Sequence, residues 1–111
     1  MNVTLTTTGR RSGEPRTVPL YAWEDAGRLV IVGSWGGNPK DPEWVRNLRA
    51  DPRATVKKGR EVLDVRASEV EPSERDRLWQ LVIKAFPLYA SYQRKTERVI
   101  PLFVLESVAA A

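Results

Sequence analysis

Hydrophobic and polar positions alternate along much of the chain, and this pattern predicts a protein built mainly from β-strands. Leu63, Val65 and Ala67 alternate with polar residues, as in a strand with one buried face. Residues 29–32 instead form an unbroken apolar run, so their strand is expected to be buried on both faces. Strands are predicted over residues 2–7, 16–24, 28–34, 53–58, 61–70 and 99–105.

Helical spacing appears in two segments. In residues 42–50, Trp44, Val45 and Leu48 share one face, and Asp41 is the predicted N-cap. A longer helix is predicted from Pro72 to about Thr96. Pro87 should kink or split this helix. Its predicted buried stripe consists of Leu78, Leu81, Val82, Ala85 and Tyr89.

The order β-β-β-α-β-β-α-β predicts a mainly β (α+β) fold in one domain over residues 1–111. Residues 25–27 and Gly59 are turn signals for antiparallel hairpins. The expected architecture is a partly closed barrel of about six antiparallel strands with two or three packed helices. Pro19 indicates an edge position or a bulge in the second strand, and residues 109–111 are expected to fray.

The composition restricts the chemistry that the chain can perform. The 111 residues include no cysteine and no histidine. Disulfides, thiolate catalysis, the Ser-His-Asp triad and most zinc sites are therefore excluded, and no metal site is predicted. Redox or acid-base chemistry would depend on a bound cofactor, assisted by tyrosine, serine, carboxylates or water.

The net charge of +4 favours an anionic partner such as nucleic acid, an anionic lipid or a phosphorylated ligand. No apolar run is long enough to span a bilayer, and no signal-peptide pattern is present, so a cytoplasmic location is expected. Residues 49–60 are rich in arginine and lysine. They contain few aromatic residues to stack on bases, so a solvated surface competes with nucleic-acid binding here.

Three short stretches carry candidate chemistry. In residues 9–16, arginines and glycines could hold a phosphate or carboxylate, although the spacing alone favours a solvated hairpin turn. In residues 34–39, SWGGNP, free backbone N–H groups and Trp35 could hold an acceptor and a flat ring, or the tryptophan could cap the core. Phe86, Tyr89 and Tyr92 recur at helical spacing and could line a pocket or simply pack.

Taken together, three segments closely resemble the deazaflavin-dependent nitroreductase family, which uses coenzyme F420. The segments are TTGRRSGEPRTVPLY, SWGGNPKDPEWVRNLRADP and YASYQRKTERVIPLFVLE. The resemblance covers nearly the whole chain. It implies a split β-barrel related to barrels that bind flavin mononucleotide (FMN), with F420 as the cofactor and FMN as the less favoured alternative. The implied activity is hydride transfer from reduced F420 to a planar acceptor such as a quinone or nitroaromatic.

The resemblance also implies roles for individual residues. The anionic part of the cofactor would contact Arg10, Arg11, Ser12 and Arg16. The rest of the cofactor would contact Val18, Pro19, Ser34, Trp35, Gly36, Gly37, Asn38, Trp44 and Asn47. The substrate would lie by Tyr21, Phe86, Tyr89 and Tyr92, and the implied catalytic residues are Tyr89, Tyr92 and Ser34.

Two positions depart from the family pattern. Trp35 stands where relatives tend to carry a basic residue, and Phe86 where they carry a further tyrosine. The pocket is therefore expected to be more apolar and to favour a quinone over a nitroimidazole. The partner expected is a small-molecule electron acceptor and not nucleic acid, with peripheral membrane association as an option and a monomer or homodimer as the assembly. The alternatives are a cofactor-binding barrel with little catalysis and a basic nucleic-acid-binding barrel.

Overall fold

The computed structural model describes residues 1–108, which form one antiparallel sheet and three α-helices. The strands are β1 (Asn2–Thr8), β2 (Pro15–Tyr21), β3 (Trp23–Asp25), β4 (Arg28–Val32), β5 (Arg53–Lys58), β6 (Glu61–Glu69) and β7 (Leu102–Ser107). The helices are α1 (Glu43–Ala50), α2 (Pro72–Ala85) and α3 (Leu88–Arg94), and a 3₁₀ turn covers Trp35–Gly37.

Strand order in the sheet is β2-β1-β5-β6-β7-β4-β3, and every pair is antiparallel. Strands β4 and β7 pair with Ile31 opposite Phe103. Leu29 and Ile31 pack into the cluster around α1, whereas Val30 and Val32 pack into the cluster under α2 and α3. The prediction of a strand buried on both faces is confirmed, since helices cover each side of β4.

The two edge strands of the sheet are joined through a single residue, Ala22. The chain leaves β2, which pairs with β1, and enters β3, which pairs with β4. This connection brings the two edges together and curls the sheet into a partly closed barrel. The prediction of one strand over residues 16–24 is wrong for this reason, because its two halves find different partners. Pro19 lies in an edge strand, as predicted.

Helix α1 fills the inside of the curled sheet. Trp44 packs edge-on against Phe103, with ring centroids 5.8 Å apart, and Val45 and Leu48 are buried beside them. The other two helices cover the outer face. Pro87 separates α2 from α3, which confirms the predicted split.

Several local predictions are wrong. Asp41 does not cap α1: the cap position is Pro42, and no side chain caps the helix. The Asp41 carboxylate instead pairs with Arg49 and Arg98. Ala85 is exposed because α2 ends there. The last strand begins at Leu102 and not at residue 99. The prediction of about six antiparallel strands is confirmed by the sheet of seven, in which residues 16–24 supply two strands. The predicted fraying concerns residues 109–111, which lie outside the described part of the chain.

Candidate functional site

A cavity of about 730 Å³ lies where β2, α1, α3 and the 3₁₀ turn meet. Six consecutive residues of β2, from Arg16 to Tyr21, line it. Successive side chains of a strand point to opposite faces, so an unbroken run of this kind indicates that β2 presents its free edge to the cavity. Arg16 and Tyr21 are five residues apart along the strand, a span of roughly 16 Å. The cavity therefore has a cationic end and an aromatic end.

The arginine turn, residues 9–16, is fastened to α1 by Asn47. This side chain is buried, and its Nδ2 donates to Thr7 Oγ1 at 3.1 Å. Its Oδ1 accepts from the Arg10 backbone N–H at 3.2 Å and from Arg10 Nη1 at 3.0 Å. Arg10 Nη1 also pairs with Glu43 Oε2 at 2.6 Å. The contact with Arg10 holds the pKa of Glu43 below its ordinary value, so Glu43 is ionised and neutralises Arg10.

Two cations of the turn remain available to a ligand. Arg11 lines the cavity, and within residues 1–108 its guanidinium group forms neither a hydrogen bond nor an ion pair. Within the described residues, the single hydrogen bond of the Arg16 guanidinium group runs from Nη2 to the Ser12 hydroxyl oxygen, at 3.3 Å. Two such groups on one turn provide planar donors suited to phosphate or carboxylate.

Loop 34–38 forms a second wall of the cavity. Ser34 is buried, whereas Trp35 is half exposed, and both line the cavity. Trp35 has φ 42°, a left-handed conformation that is strained for a bulky residue. Gly37, at φ 82°, packs against α3 so closely that an added Cβ would lie 2.8 Å from the Tyr92 carbonyl oxygen. A side chain at position 37 would therefore push the loop away from α3.

The aromatic end of the cavity contains Tyr21 and Tyr89. Tyr21 packs at a tilt against Trp23, with ring centroids 4.5 Å apart and planes inclined by 48°. Tyr89 is 8% exposed, and its hydroxyl group makes no hydrogen bond within residues 1–108. Burial raises the pKa of Tyr89 above its ordinary value. The neighbouring Trp23 indole N–H is buried and has no hydrogen-bond partner within residues 1–108. Its proximity favours the phenolate and so acts to lower the pKa of Tyr89, against the larger effect of burial. The Tyr89 phenol is therefore protonated at neutral pH.

Of the residues implied by the resemblance, most line the cavity: Arg10, Arg11, Ser12, Arg16, Val18, Pro19, Tyr21, Ser34, Trp35, Trp44, Asn47 and Tyr89. Gly36, Gly37, Asn38, Phe86 and Tyr92 do not. Phe86 and Tyr92 pack around Tyr89, with ring centroids 4.8 Å and 6.3 Å from it.

Further lining residues were not among the site residues that the resemblance implied: Thr7, Gly9, Thr17, Leu20, Val32, Pro42 and Glu43. Thr7 and Val32 lie in strands, where local periodicity indicates burial but not proximity to a site. Glu43 could have been found as an acidic residue in the first turn of α1, but its pairing with the distant Arg10 depends on the fold.

The described residues offer neither a candidate metal site nor a candidate membrane-spanning helix. Residues 1–108 contain no cluster of three or more acidic, histidine or cysteine side chains that could hold a metal ion. No helix in the same part of the chain has the length and apolar character needed to cross a membrane.

Residues 1–107 match the family described as F420H(2)-dependent quinone reductase. The chain belongs to this family. It is 39% identical over 104 residues to an F420H(2)-dependent quinone reductase of Mycobacterium tuberculosis (strain ATCC 25618 / H37Rv), covering 91% of this chain and 70% of the relative. The family inferred from the sequence is confirmed, together with the oxidoreductase class and the coenzyme F420, although "quinone reductase" describes it better than "nitroreductase".

Solved structures support the same assignment. An F420-H2 dependent reductase (FDR-A) superposes with a TM-score of 0.85 at 46% identity, covering 95% of this chain and 93% of the other. A structure described as a domain-swapped dimer also has a TM-score of 0.85 and 46% identity, covering 95% of this chain and 79% of the other. The predicted split-barrel fold is confirmed by this agreement.

Proposed function

We propose that this chain reduces a quinone-like acceptor with a hydride from reduced coenzyme F420, bound along the cavity beside β2. The observation that carries the proposal is the polarity of that cavity, with the free Arg11 cation at one end and Tyr89 at the other. An elongated molecule with an anionic tail and a flat ring matches this arrangement. Family membership supports the cofactor and the reaction class.

The residues present fit such a cofactor. Arg11 and Arg16 would bind the anionic tail through charge-assisted hydrogen bonds, and Arg10 and Asn47 would hold the turn in place. Trp44 and Val18 supply apolar surface for the ring, and the free edge of β2 supplies backbone donors and acceptors. When bound, reduced F420 supplies the hydride, so the absence of histidine and cysteine is no obstacle.

We assign Tyr89 the role of proton donor to the acceptor. Reduction of a quinone to a hydroquinone requires one hydride on the acceptor and a proton on its oxygen. Tyr89 lines the cavity and its phenol is protonated at neutral pH, so its hydroxyl group would donate that proton and recover it from water. Tyr21 would hold the flat acceptor by stacking, and Ser34 would orient the ring from the opposite wall.

The decisive experiment is a binding titration of F420 with the purified chain, followed by tryptophan fluorescence. Arg11→Ala combined with Arg16→Ala should weaken binding by roughly a hundredfold, because two charge-assisted contacts are lost. Flavin mononucleotide should bind more weakly than F420. Reduced F420 with a soluble benzoquinone should then show turnover at a rate set by the protein concentration.

Arg60→Ala combined with Arg66→Ala is the matched control. It removes the same charge from exposed residues that do not line the cavity, so F420 binding should remain near that of the parent chain. An equal loss in both double variants would mean that net charge, and not the arginine turn, holds the cofactor. Binding without turnover of any quinone or nitroaromatic would favour the carrier alternative.

The assembly of the chain and its location in the cell are separate questions from the chemistry of the cavity. The homodimer receives support from the 46%-identical structure described as a domain-swapped dimer. We propose a homodimer for this chain, and light scattering during size-exclusion chromatography would distinguish it from a monomer. The cytoplasmic location and the peripheral membrane association remain predictions, to be checked by cell fractionation.

A further inference from the structure

One arginine outside the cavity fixes the shape of its wall. Arg98 follows α3 in the chain, and its side chain is 14% exposed. Its guanidinium group makes four hydrogen bonds, three of them to backbone carbonyl oxygens. Nε donates to the carbonyl of Asn38 at 2.7 Å, Nη1 to Gly33 at 3.1 Å, and Nη2 to Ser34 at 2.8 Å. The fourth bond runs from Nη1 to Asp41 Oδ1 at 2.8 Å.

The three carbonyl groups belong to Gly33 and to two residues of loop 34–38, Ser34 and Asn38. The bonds within the loop do not by themselves fix its position relative to α3. Within residues 1–108, the backbone N–H groups of the loop bond over short range, from Gly37 to the Ser34 carbonyl at 2.9 Å and from Asn38 to the Trp35 carbonyl at 3.0 Å. The preceding Gly33 N–H donates to the Pro101 carbonyl at 2.9 Å, which leaves the loop beyond it for Arg98 to hold. Trp35 adopts a strained left-handed conformation in the middle of it. A strained loop persists only where surrounding contacts determine it, and one planar guanidinium group supplies three of those contacts.

Arg98 is itself anchored to α3, the helix that carries Tyr89. Gln93 Nε2 donates to the Arg98 carbonyl oxygen at 2.7 Å, and Gln93 Oε1 accepts from the Ile100 N–H at 2.9 Å. Gly37 meets α3 directly at the Tyr92 carbonyl. The loop with Ser34 and Trp35 and the helix with Tyr89 are therefore joined through Arg98.

We propose that Arg98 is a positioning residue that holds loop 34–38 at a fixed distance from α3, and so sets the width of the cavity between Trp35 and Tyr89. Its role in catalysis rests on the proposed function. Its role in shaping the loop does not. Lysine cannot replace it, because a single ammonium group cannot reach three carbonyl groups in a planar fork.

Arg49 provides a matched control within the same ion-pair network. It shares the Asp41 carboxylate with Arg98, at 2.8 Å, and its remaining bonds go to Glu69. Arg49 bonds to none of the loop carbonyls among the described residues. Arg98→Lys and Arg49→Lys thus both disturb an ion pair with Asp41. Arg98→Lys in addition removes the hydrogen bonds to the carbonyl groups of Gly33, Ser34 and Asn38.

The test compares both variants in protein labelled with fluorotryptophan, without cofactor. The chain has four tryptophans, and the Trp35 fluorine resonance is assigned from its loss in Trp35→Phe. Arg98→Lys should shift or broaden the Trp35 resonance and leave Trp79, on α2, unchanged. It should also raise the F420 dissociation constant by roughly tenfold, because the released loop no longer holds Ser34 and Trp35 in the arrangement that lines the cavity. Arg49→Lys should change neither quantity.

Equal behaviour of the two lysine variants in both measurements would overturn the proposal, because Arg98 would then act only as an ion-pair partner of Asp41. If F420 binds neither the parent chain nor the variants while the Trp35 resonance still responds to Arg98→Lys, the proposed function fails and the positioning role stands. Should Arg98→Lys not fold, NMR of the parent chain decides. A slowly exchanging Arg98 Nε–H is then expected, and rapid exchange with water would contradict the bond to Asn38.

Discussion

Tyr89 differs from Tyr92, three residues later, because Tyr89 lines the cavity and Tyr92 does not. The Tyr89 side chain is buried, lines the cavity and has no hydrogen-bond partner within residues 1–108. Tyr92 packs against it from behind, with Lys95 Nζ 5.6 Å from the Tyr92 ring centroid, and does not line the cavity. Of the two tyrosines implied as proton donors, Tyr89 is therefore the one in position to meet a bound acceptor.

Replacing Tyr89 by phenylalanine should therefore lower kcat for quinone reduction by roughly a hundredfold, the usual contribution of a general acid. The aromatic ring remains, so the dissociation constant of F420 should stay near its parent value. Steady-state kinetics together with a binding titration would measure both quantities. Tyr92→Phe is the control, and a larger loss of kcat in that variant would assign the proton to Tyr92 instead.

The titration of Tyr89 can be observed directly, because the chain has only three tyrosines. A variant with Tyr21→Phe and Tyr92→Phe leaves Tyr89 as the single phenol. Its ultraviolet titration should give a pKa above the ordinary value of 10.0, because burial disfavours the phenolate. Adding Trp23→Phe should raise the pKa further, since the indole N–H opposes the shift. A fall in the pKa on that change would contradict this account.

Among the elements, the β3–β4 hairpin is tied to α2 by alternating charges. Asp25 accepts from Arg77 Nη1 at 2.9 Å and from Arg28 Nη2 at 3.1 Å, and Glu74 bonds to both arginines. Hydrogen bonding from Arg77, reinforced by Arg28, lowers the pKa of Asp25 from 3.8 to about 2. Helix α2 covers the outer core cluster that includes Tyr89, so this network helps to hold the aromatic end of the cavity.

The lowered pKa determines the direction of the pH dependence. Folding favours the ionised form of Asp25, so this stabilisation is complete above pH 3.8 and is lost as the pH falls toward 2. Asp25→Asn should lower the melting temperature by a few degrees at pH 7, and its melting temperature should fall less steeply than that of the parent chain between pH 4 and 2. Asp76→Asn, on the exposed side of α2, should keep the parent slope. Parallel curves for Asp25→Asn and the parent would exclude this role.

At the scale of the whole molecule, closure of the barrel depends on Ala22. The residue is completely buried, and its N–H donates to the Met1 carbonyl at 2.8 Å. It lies between β2, which lines the cavity, and β3, which begins at Trp23. A larger side chain at this position would force the two sheet edges apart.

Ala22→Leu should lower the free energy of unfolding by roughly 1–3 kcal/mol through overpacking. It should also weaken F420 binding, because β2 would move relative to α1. Urea denaturation and a binding titration would measure the two effects. Ala85→Leu, at the exposed end of α2, should change neither. If Ala22→Leu left both the stability and the F420 affinity unchanged, closure of the barrel would not depend on a small residue between β2 and β3.

The positions of most elements could be predicted from the sequence because their causes are local. The alternation in β6, the apolar run of β4 and the split at Pro87 each depend on neighbouring residues and solvent. The arginine turn, the SWGG segment and the tyrosine helix likewise carried enough of the family pattern to indicate an F420-dependent enzyme. Most residues of the site were named in this way.

The tertiary structure decided what depends on distant partners. Residues 16–24 have the pattern of one strand, and only the pairing of their two halves with β1 and β4 breaks them at Ala22. Asp41 precedes a helix and has the sequence pattern of an N-cap, yet its carboxylate pairs with Arg49 and Arg98 instead. Arg98 carries no local signal, since its carbonyl partners lie about sixty residues away in the chain. Periodicity and motifs record contacts between neighbours along the chain, whereas the cavity is made from contacts that exist only once the sheet has closed.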